Sequence, residues 1–71
     1  MSQSFLAVSG VVSLFDSVLG LGQIQTTTGE TYPFHCVEIG NDSRLIDIGT
    51  HVTCDIWPIL GGYEATNIAS K

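Results

Sequence analysis

Short segments rich in β-branched and aromatic residues, separated by turn residues, run along the whole chain. Five such segments fit within 71 residues: FLAVSGVVSLF, LGQIQTT, TYPFHCVEI, DIGTHVTCDIWPI and YEATNIA. The turns DSVLG, TTGE and LGG and the loop GNDSR lie between them. No apolar period of 3.6 residues extends far enough to predict a helix. Short strands at this spacing predict an all-β domain, either a barrel or a sandwich.

Two residues inside the predicted strands refine this expectation. Gly10 interrupts the first segment, and a glycine within a strand often marks a bulge or a sharp bend. Pro33 interrupts the third segment and removes a backbone donor, which predicts an edge strand or a locally open one. Five strands in about 60 residues favour a small antiparallel Greek-key barrel of the OB type.

Length and composition predict one domain, residues 1–71, with a core of modest size. The sequence has no run of about 18 apolar residues, so it predicts no membrane span. The N-terminus lacks the basic segment and the cleavage site of a signal peptide, and we expect a cytoplasmic protein. In that compartment Cys36 and Cys54 are expected to be reduced thiols.

The charge balance is strongly acidic, with a formal net charge of −5 at pH 7. Such a chain repels nucleic acid and anionic membranes at long range, and phosphate contacts normally come from Lys and Arg. The cations are Arg44 and Lys71 alone. With Asp42 and Asp47 nearby in sequence, Arg44 is expected to form a loop salt bridge that contributes little stability, rather than a phosphate contact.

Four pieces of the chain together resemble the cold-shock domain family. GVVSLFDSVLGLGQI resembles the family's G-x-V-x-W-F-N-x-x-K-G-F-G-F-I, and YPFHCVEI is similar to V-F-V-H-F-S-A-I. IDIGTHVTCDI is similar to L-x-x-G-x-x-V-x-F-x-V, and GYEATNI to G-P-Q-A-A-N-V. The resemblance covers 10–68 in the right order, and FHC and SR resemble a diverged bacterial branch. It implies an OB barrel that binds single-stranded DNA or RNA.

The departures from the family fall on the positions that bind nucleic acid. In the family, aromatic rings on the second and third strands stack on bases while lysines meet phosphates, and each stacked base contributes about 1–3 kcal/mol. We therefore expect weak binding here. Rings are replaced at Leu14, Leu21, Gln23, Pro33 and Cys36, and lysines at Val11, Ser13 and Leu19.

The resemblance leaves Phe15 and His35 as the expected stacking residues. Gln23 is a hydrogen-bonding neighbour, and Leu14 and Leu21 occupy former ring positions in the same expected nucleic-acid-binding face. The alternative, purely structural interpretation is that Phe15 belongs partly to the core and that His35 is an ordinary surface residue.

An alternative function is a protein-interaction module that no longer binds nucleic acid. Leu14, Leu21, Pro33 and Trp57 are the candidate contact residues, because an exposed apolar patch suits a protein partner better than a phosphate-rich ligand. For Trp57 the favoured interpretation is structural, with the ring folding back over a core that lacks other aromatics. The leucines and Pro33 are equally compatible with covering the barrel end.

Neither a metal centre nor an enzyme is expected. His35, Cys36, His51 and Cys54 are chemically suited to zinc, but the two neighbours on one strand point to opposite faces. Cys54 is instead expected to be a buried, inert thiol. No acid–base pair, nucleophile elbow or phosphate-binding loop occurs, so no catalytic residues and no cofactor are predicted.

Overall fold

The computed structural model describes residues 5–40 and 45–71, which form an all-β domain. A short 3-10 turn, Cys36–Glu38, follows the third strand. The strands are antiparallel and hydrogen bond in the order β3-β2-β1-β4-β5. Their bounds are β1 Phe5–Asp16, β2 Leu21–Thr26, β3 Thr31–His35, β4 His51–Ile59 and β5 Gly62–Ser70.

The five predicted strands are confirmed, with two of them shorter than the sequence pattern suggested. The third strand ends at His35 because the chain turns into the 3-10 segment at Cys36. The fourth begins at His51, since a turn precedes it in which the Thr50 hydroxyl donates to the Asp47 carbonyl at 2.7 Å. Most of the predicted GNDSR loop, including Arg44, lies outside the described residues.

The core lies on the inner face of the curled sheet, where alternate residues of every strand point inward. β1 pairs with both β2 and β4, so its inward residues meet partners from both sides. Each fully buried aliphatic side chain contributes about 1.5–3 kcal/mol relative to an exposed one. The core residues are Val12, Ile24, Phe34, Ile39, Val52, Cys54, Ile56, Ala65 and Ile68.

Three register shifts bend the sheet. They lie between Phe5 and Val8, between Val12 and Leu14, and between Thr53 and Asp55. The bulge expected at Gly10 is therefore displaced, because Gly10 itself pairs in register with both neighbouring strands. Gly10 instead leaves space for the buried Ile24 side chain, because a Cβ at position 10 would lie 2.6 Å from Cγ2 of Ile24.

β3 and β5 are the two edges of the sheet, which confirms the edge position expected for Pro33. The edges approach each other through the Tyr32 and Tyr63 rings, whose centroids are 6.4 Å apart at 80°. Ile39, which follows the 3-10 turn, forms one parallel bridge with Ile68 of β5. Between the described parts of β3 and β5 there is no ladder, so the sheet is curled but not closed into the predicted barrel. Pro33 and the early end of β3 leave few backbone groups for closure.

Candidate functional site

An open groove of about 360 Å³ lies on the outer face of the sheet. Cross-strand register builds its floor in two rows. Leu14, Gln23 and Pro33 form the first row. Asp16, Leu21 and His35 form the second, at the end of the same three strands. Because each row comes from aligned strands, the positions of these side chains are fixed by the backbone ladder.

The groove brings together most of the residues that the sequence singled out. Leu14, Leu21, Gln23 and His35, four of the predicted nucleic-acid-binding residues, line it together with Pro33. All five are exposed, and Leu14 and Leu21 retain 47% and 40% of their accessible surface. Pro33 and the leucines are therefore available for contact with a ligand or a partner.

Phe15 lies apart from this group, on the inner face of the sheet. Its ring stacks on Phe34 with centroids 5.9 Å apart and planes 8° from parallel, and it packs against the core. The bulge between Val12 and Leu14 causes this placement, because the extra residue turns Leu14 outward and Phe15 inward. The interpretation in which Phe15 belongs partly to the core is thus confirmed, whereas stacking of Phe15 and His35 on bases stays a prediction.

The glycines beside the groove have steric roles. Gly22 lies under the Phe34 ring, and a Cβ there would be 2.5 Å from Cζ of that ring. Gly20 has φ +69° and ends the β1–β2 turn, with its carbonyl accepting the Cys36 amide at 2.8 Å. Glycine adopts this backbone region more readily than residues with a side chain.

The β1–β2 turn forms one wall of the groove. The Asp16 carboxylate accepts hydrogen bonds from the amides of Val18 at 2.9 Å and Leu19 at 3.0 Å. This arrangement is an Asx-type turn, for which Asp is well suited. It leaves Val18 92% exposed and places Leu19 in the groove lining.

The opposite wall comes from the far edge of the sheet. Ile59, at the end of β4, and Glu64, on β5, also line the groove. Neither was predicted from the sequence. Their presence depends on the approach of β3 to β5, which the alternation within a single strand does not encode.

Trp57 lies outside the groove lining. It pairs with Glu64 on β5, remains 46% exposed, and does not belong to the core cluster. The favoured expectation that it folds over the core is therefore wrong. Ile56 takes the inward position, so the alternation of β4 places Trp57 on the outer face.

The charges at the groove are negative. Asp16 and Glu64 are in the lining, whereas none of the described lining residues is Lys or Arg. Lys71 donates from Nζ to the Ser9 hydroxyl at 2.8 Å, and both line a different depression on the surface. A ligand in the groove therefore gains little from phosphate neutralisation.

The cysteines and histidines are dispersed. His35 and His51 are exposed on β3 and β4, Cys36 is half-buried, and Cys54 is buried. Burial raises the pKa of the Cys54 thiol, and the adjacent Asp55 adds to the increase. Over residues 5–40 and 45–71 no three potential metal ligands cluster, and no helix there has the length and apolar character to cross a membrane.

No protein-family profile matches this chain, and no curated protein is significantly similar to it.

Proposed function

We propose that the outer groove binds single-stranded nucleic acid weakly, in the manner of a diverged cold-shock domain with an OB-type Greek-key arrangement. The observation that carries the proposal is that Leu14, Leu21, Gln23 and His35 line one groove. The resemblance assigns these positions to nucleic-acid contact. They were singled out by sequence position, and they converge in space.

The place of the groove on the sheet supports the same proposal. OB folds are five-stranded, partly open barrels that bind oligonucleotides on the face of strands two and three and through the loops after strands one and four. Here the lining includes residues of β2 and β3, Leu19 of the β1–β2 turn and Ile59 at the end of β4. The open edge between β3 and β5 fits a partly open barrel.

The chemistry of the lining favours contact with bases over contact with phosphates. The His35 imidazole is the exposed ring of the groove, and Pro33 and Leu21 offer apolar surface beside it. Gln23 supplies an amide able to hydrogen bond with a base edge. With one ring in place of several, we expect an affinity well below that of an aromatic-rich groove, since stacking contributes about 1–3 kcal/mol per base.

The experiment is a titration of the purified protein with fluorescently labelled oligothymidine of about seven nucleotides, within the usual site size of an OB fold. Fluorescence anisotropy is recorded at low and at moderate salt. We expect saturable binding with a Kd in the micromolar range or above, and an affinity that does not fall as salt is raised, because salt screens the repulsion between the acidic protein and the phosphates. The loss of affinity with salt scales with the number of phosphates neutralised, and none of the described residues that line the groove is Lys or Arg.

Matched variants locate the binding surface. His35→Ala is expected to weaken binding at least fivefold, whereas His51→Ala, at an exposed histidine outside the groove, is expected to leave it unchanged. Glu64→Lys is expected to strengthen binding and to introduce salt dependence, because a cation replaces a carboxylate in the lining. Equal effects of the two histidine variants would contradict the proposal.

A second candidate, docking of a protein through the same groove, is favoured by the combination of an apolar lining with acidic walls. Val18, Leu19 and Leu60 stand exposed at the two turns beside the groove, at 92%, 68% and 103% of full accessibility. An apolar segment flanked by Lys or Arg would complement this surface. The titration separates the candidates, because the absence of oligothymidine binding at both low and moderate salt would contradict the first candidate and leave the protein partner as the one to test.

A further inference from the structure

A second cavity, of about 250 Å³, lies at the opposite end of the sheet, beside the β2–β3 turn. Its apolar wall consists of Phe5, Val8 and Ile56, from β1 and β4. Its polar wall consists of Thr26, Thr28, Glu30 and Tyr32. None of these residues lines the outer groove, so the cavity is a separate feature of the molecule.

The polar wall is a connected hydrogen-bond network that ends at Glu30. Thr28 donates its hydroxyl proton to Oε1 of Glu30 at 3.0 Å, and Tyr32 donates to Oε2 at 3.3 Å. The hydroxyls of Thr26 and Thr28 are 2.9 Å apart. Because the single hydroxyl proton of Thr28 is directed to the carboxylate, which only accepts, Thr26 is the donor in its contact with Thr28.

The backbone of the turn holds this network in place. The Thr26 amide donates to the Glu30 carbonyl at 2.7 Å, and the Gly29 amide donates to the Thr26 carbonyl at 2.9 Å. Gly29 has φ +91°, which suits a tight turn. Glu30 is therefore anchored by the main chain, and its position does not depend on its side-chain contacts alone.

The direction of these hydrogen bonds defines what the wall can offer a ligand. All three hydroxyl protons are directed along the chain toward Glu30, so the wall presents only acceptor lone pairs. A carboxylate has about four lone-pair positions, of which Thr28 and Tyr32 occupy two. None of the described residues lining the cavity is Lys, Arg or His, so the lining itself provides no cation for Glu30.

Aromatic and aliphatic surface faces this acceptor wall. Phe5 and Tyr32 provide rings, and a cation near a ring face is favoured by cation–π attraction. Burial, followed by the charge of Glu30 and the hydrogen bond to it, raises the pKa of the Tyr32 phenol. A phenol of ordinary pKa, about 10, is already protonated at neutral pH, so Tyr32 is able to donate to Glu30 there.

We propose that this cavity is a binding site for a small organic cation, namely a primary ammonium attached to a compact apolar body. The ammonium would donate to the free lone pairs of Glu30 while the apolar body packs against Phe5, Val8 and Ile56. The volume sets the size, because pockets for drug-sized ligands are about 300–1,000 Å³ and this cavity is smaller.

The test is a titration of the isotopically labelled protein with 2-phenylethylammonium, followed by two-dimensional amide NMR. We expect saturable shifts at the amides of Thr28, Glu30 and Tyr32. The neutral analogue 2-phenylethanol has the same ring and chain length, and we expect it to bind at least tenfold more weakly. Glu30→Gln should weaken ammonium binding by a similar factor, with Glu64→Gln, a carboxylate of the outer groove, as the matched control.

Three results would overturn the proposal. The first is equal binding of the ammonium and the alcohol, since charge would then have no role. The second is a set of shifts confined to Leu21, Gln23 and His35, which would place the ligand in the outer groove. The third is unchanged affinity for the ammonium in a folded Glu30→Gln variant. Tyr32→Phe is a second variant, which keeps the ring and removes one hydrogen bond to Glu30. Because Glu30 keeps its charge in Tyr32→Phe, that variant should still prefer the ammonium to the alcohol.

Discussion

Asp55 on β4 accepts a hydrogen bond through Oδ1 from the backbone amide of Ala7 on β1, at 2.9 Å. Its other oxygen, Oδ2, accepts from Nδ2 of Asn67 on β5 at 3.3 Å. Ala7 and Asn67 have φ values of 56° and 52°, in the left-handed region that non-glycine residues seldom adopt. Both lie at register shifts of the strands that flank β4. One carboxylate thus links the two bulges.

Replacement of Asp55 tests this link. Asp55→Ala removes both hydrogen bonds and is expected to lower the free energy of unfolding by about 2 kcal/mol. Asp55→Asn keeps an acceptor for the Ala7 amide but turns an NH₂ group toward Asn67, so we expect a loss near half as large. Urea unfolding followed by circular dichroism measures both. An alanine variant as stable as the parent chain would contradict the link.

Ala7 is expected to be a position where glycine is preferred. The left-handed conformation costs a non-glycine residue roughly 1–2 kcal/mol in the folded state. Glycine avoids this cost but lowers stability by about 0.5–1 kcal/mol, because it loses more backbone entropy on folding. Ala7→Gly should therefore raise the free energy of unfolding by about 0.5 kcal/mol. Ala69→Gly, at an exposed β5 residue without positive φ, is the control and should lower it. Destabilisation of equal size in both variants would argue against strain at Ala7.

Gly22 should not tolerate a side chain. A Cβ there would lie 2.5 Å from Cζ of Phe34 and 2.7 Å from the Leu14 carbonyl oxygen, and the backbone atom has little freedom to move. We expect Gly22→Ala to destabilise the fold by about 3 kcal/mol, as for overpacked core positions. At Gly62 a Cβ would meet no atom within 4 Å, and Gly62→Ala should be nearly neutral. Thermal unfolding of the two variants gives the comparison.

Cys54 should make stability fall in mildly alkaline solution. Burial first, and Asp55 second, raise the pKa of its thiol above the ordinary value of 9.0. A group with a raised folded-state pKa contributes its full stability below the unfolded-state pKa and loses it as the pH rises through the folded-state pKa. Under reducing conditions, the free energy of unfolding should decline above about pH 8.5.

Cys54→Ala separates this thiol from other alkaline titrations. The variant is expected to be less stable at neutral pH, but the decline between about pH 8.5 and pH 9.5 should be smaller than in the parent chain. Cys36→Ala, at the half-buried thiol, is the comparison variant. An identical alkaline slope in the parent and Cys54→Ala would show that the buried thiol has no part in it.

The strands were predictable from the sequence because their apolar residues alternate between turn residues. The placement of Phe15 was not. Strict alternation from the buried Val12 would turn Leu14 inward and Phe15 outward, whereas the bulge between Val12 and Leu14 reverses both. No single residue in this segment predicts that bulge. Gly10, the visible candidate, is in register with both of its neighbours.

The candidate site was predictable where it depends on adjacent strands and not where it crosses the open edge. Leu21, Gln23 and His35 follow from the alternation of β2 and β3 and from the resemblance. Ile59 and Glu64 enter because β3 and β5 come together, which is a property of the curled sheet. The polar wall of the second cavity depends on hydroxyl groups that donate toward the Glu30 carboxylate. The spacing of these residues in the sequence does not predict the direction of those hydrogen bonds.

Contact between the outer groove and nucleic-acid bases can be followed residue by residue. The most direct measurement is two-dimensional amide NMR of the labelled protein titrated with unlabelled oligothymidine of about seven nucleotides. We predict progressive shifts concentrated at Leu14, Leu21, Gln23 and His35, with His51 and Thr28 unaffected. Shifts that are absent at both low and moderate salt, or that fall outside the groove, would contradict base contact there.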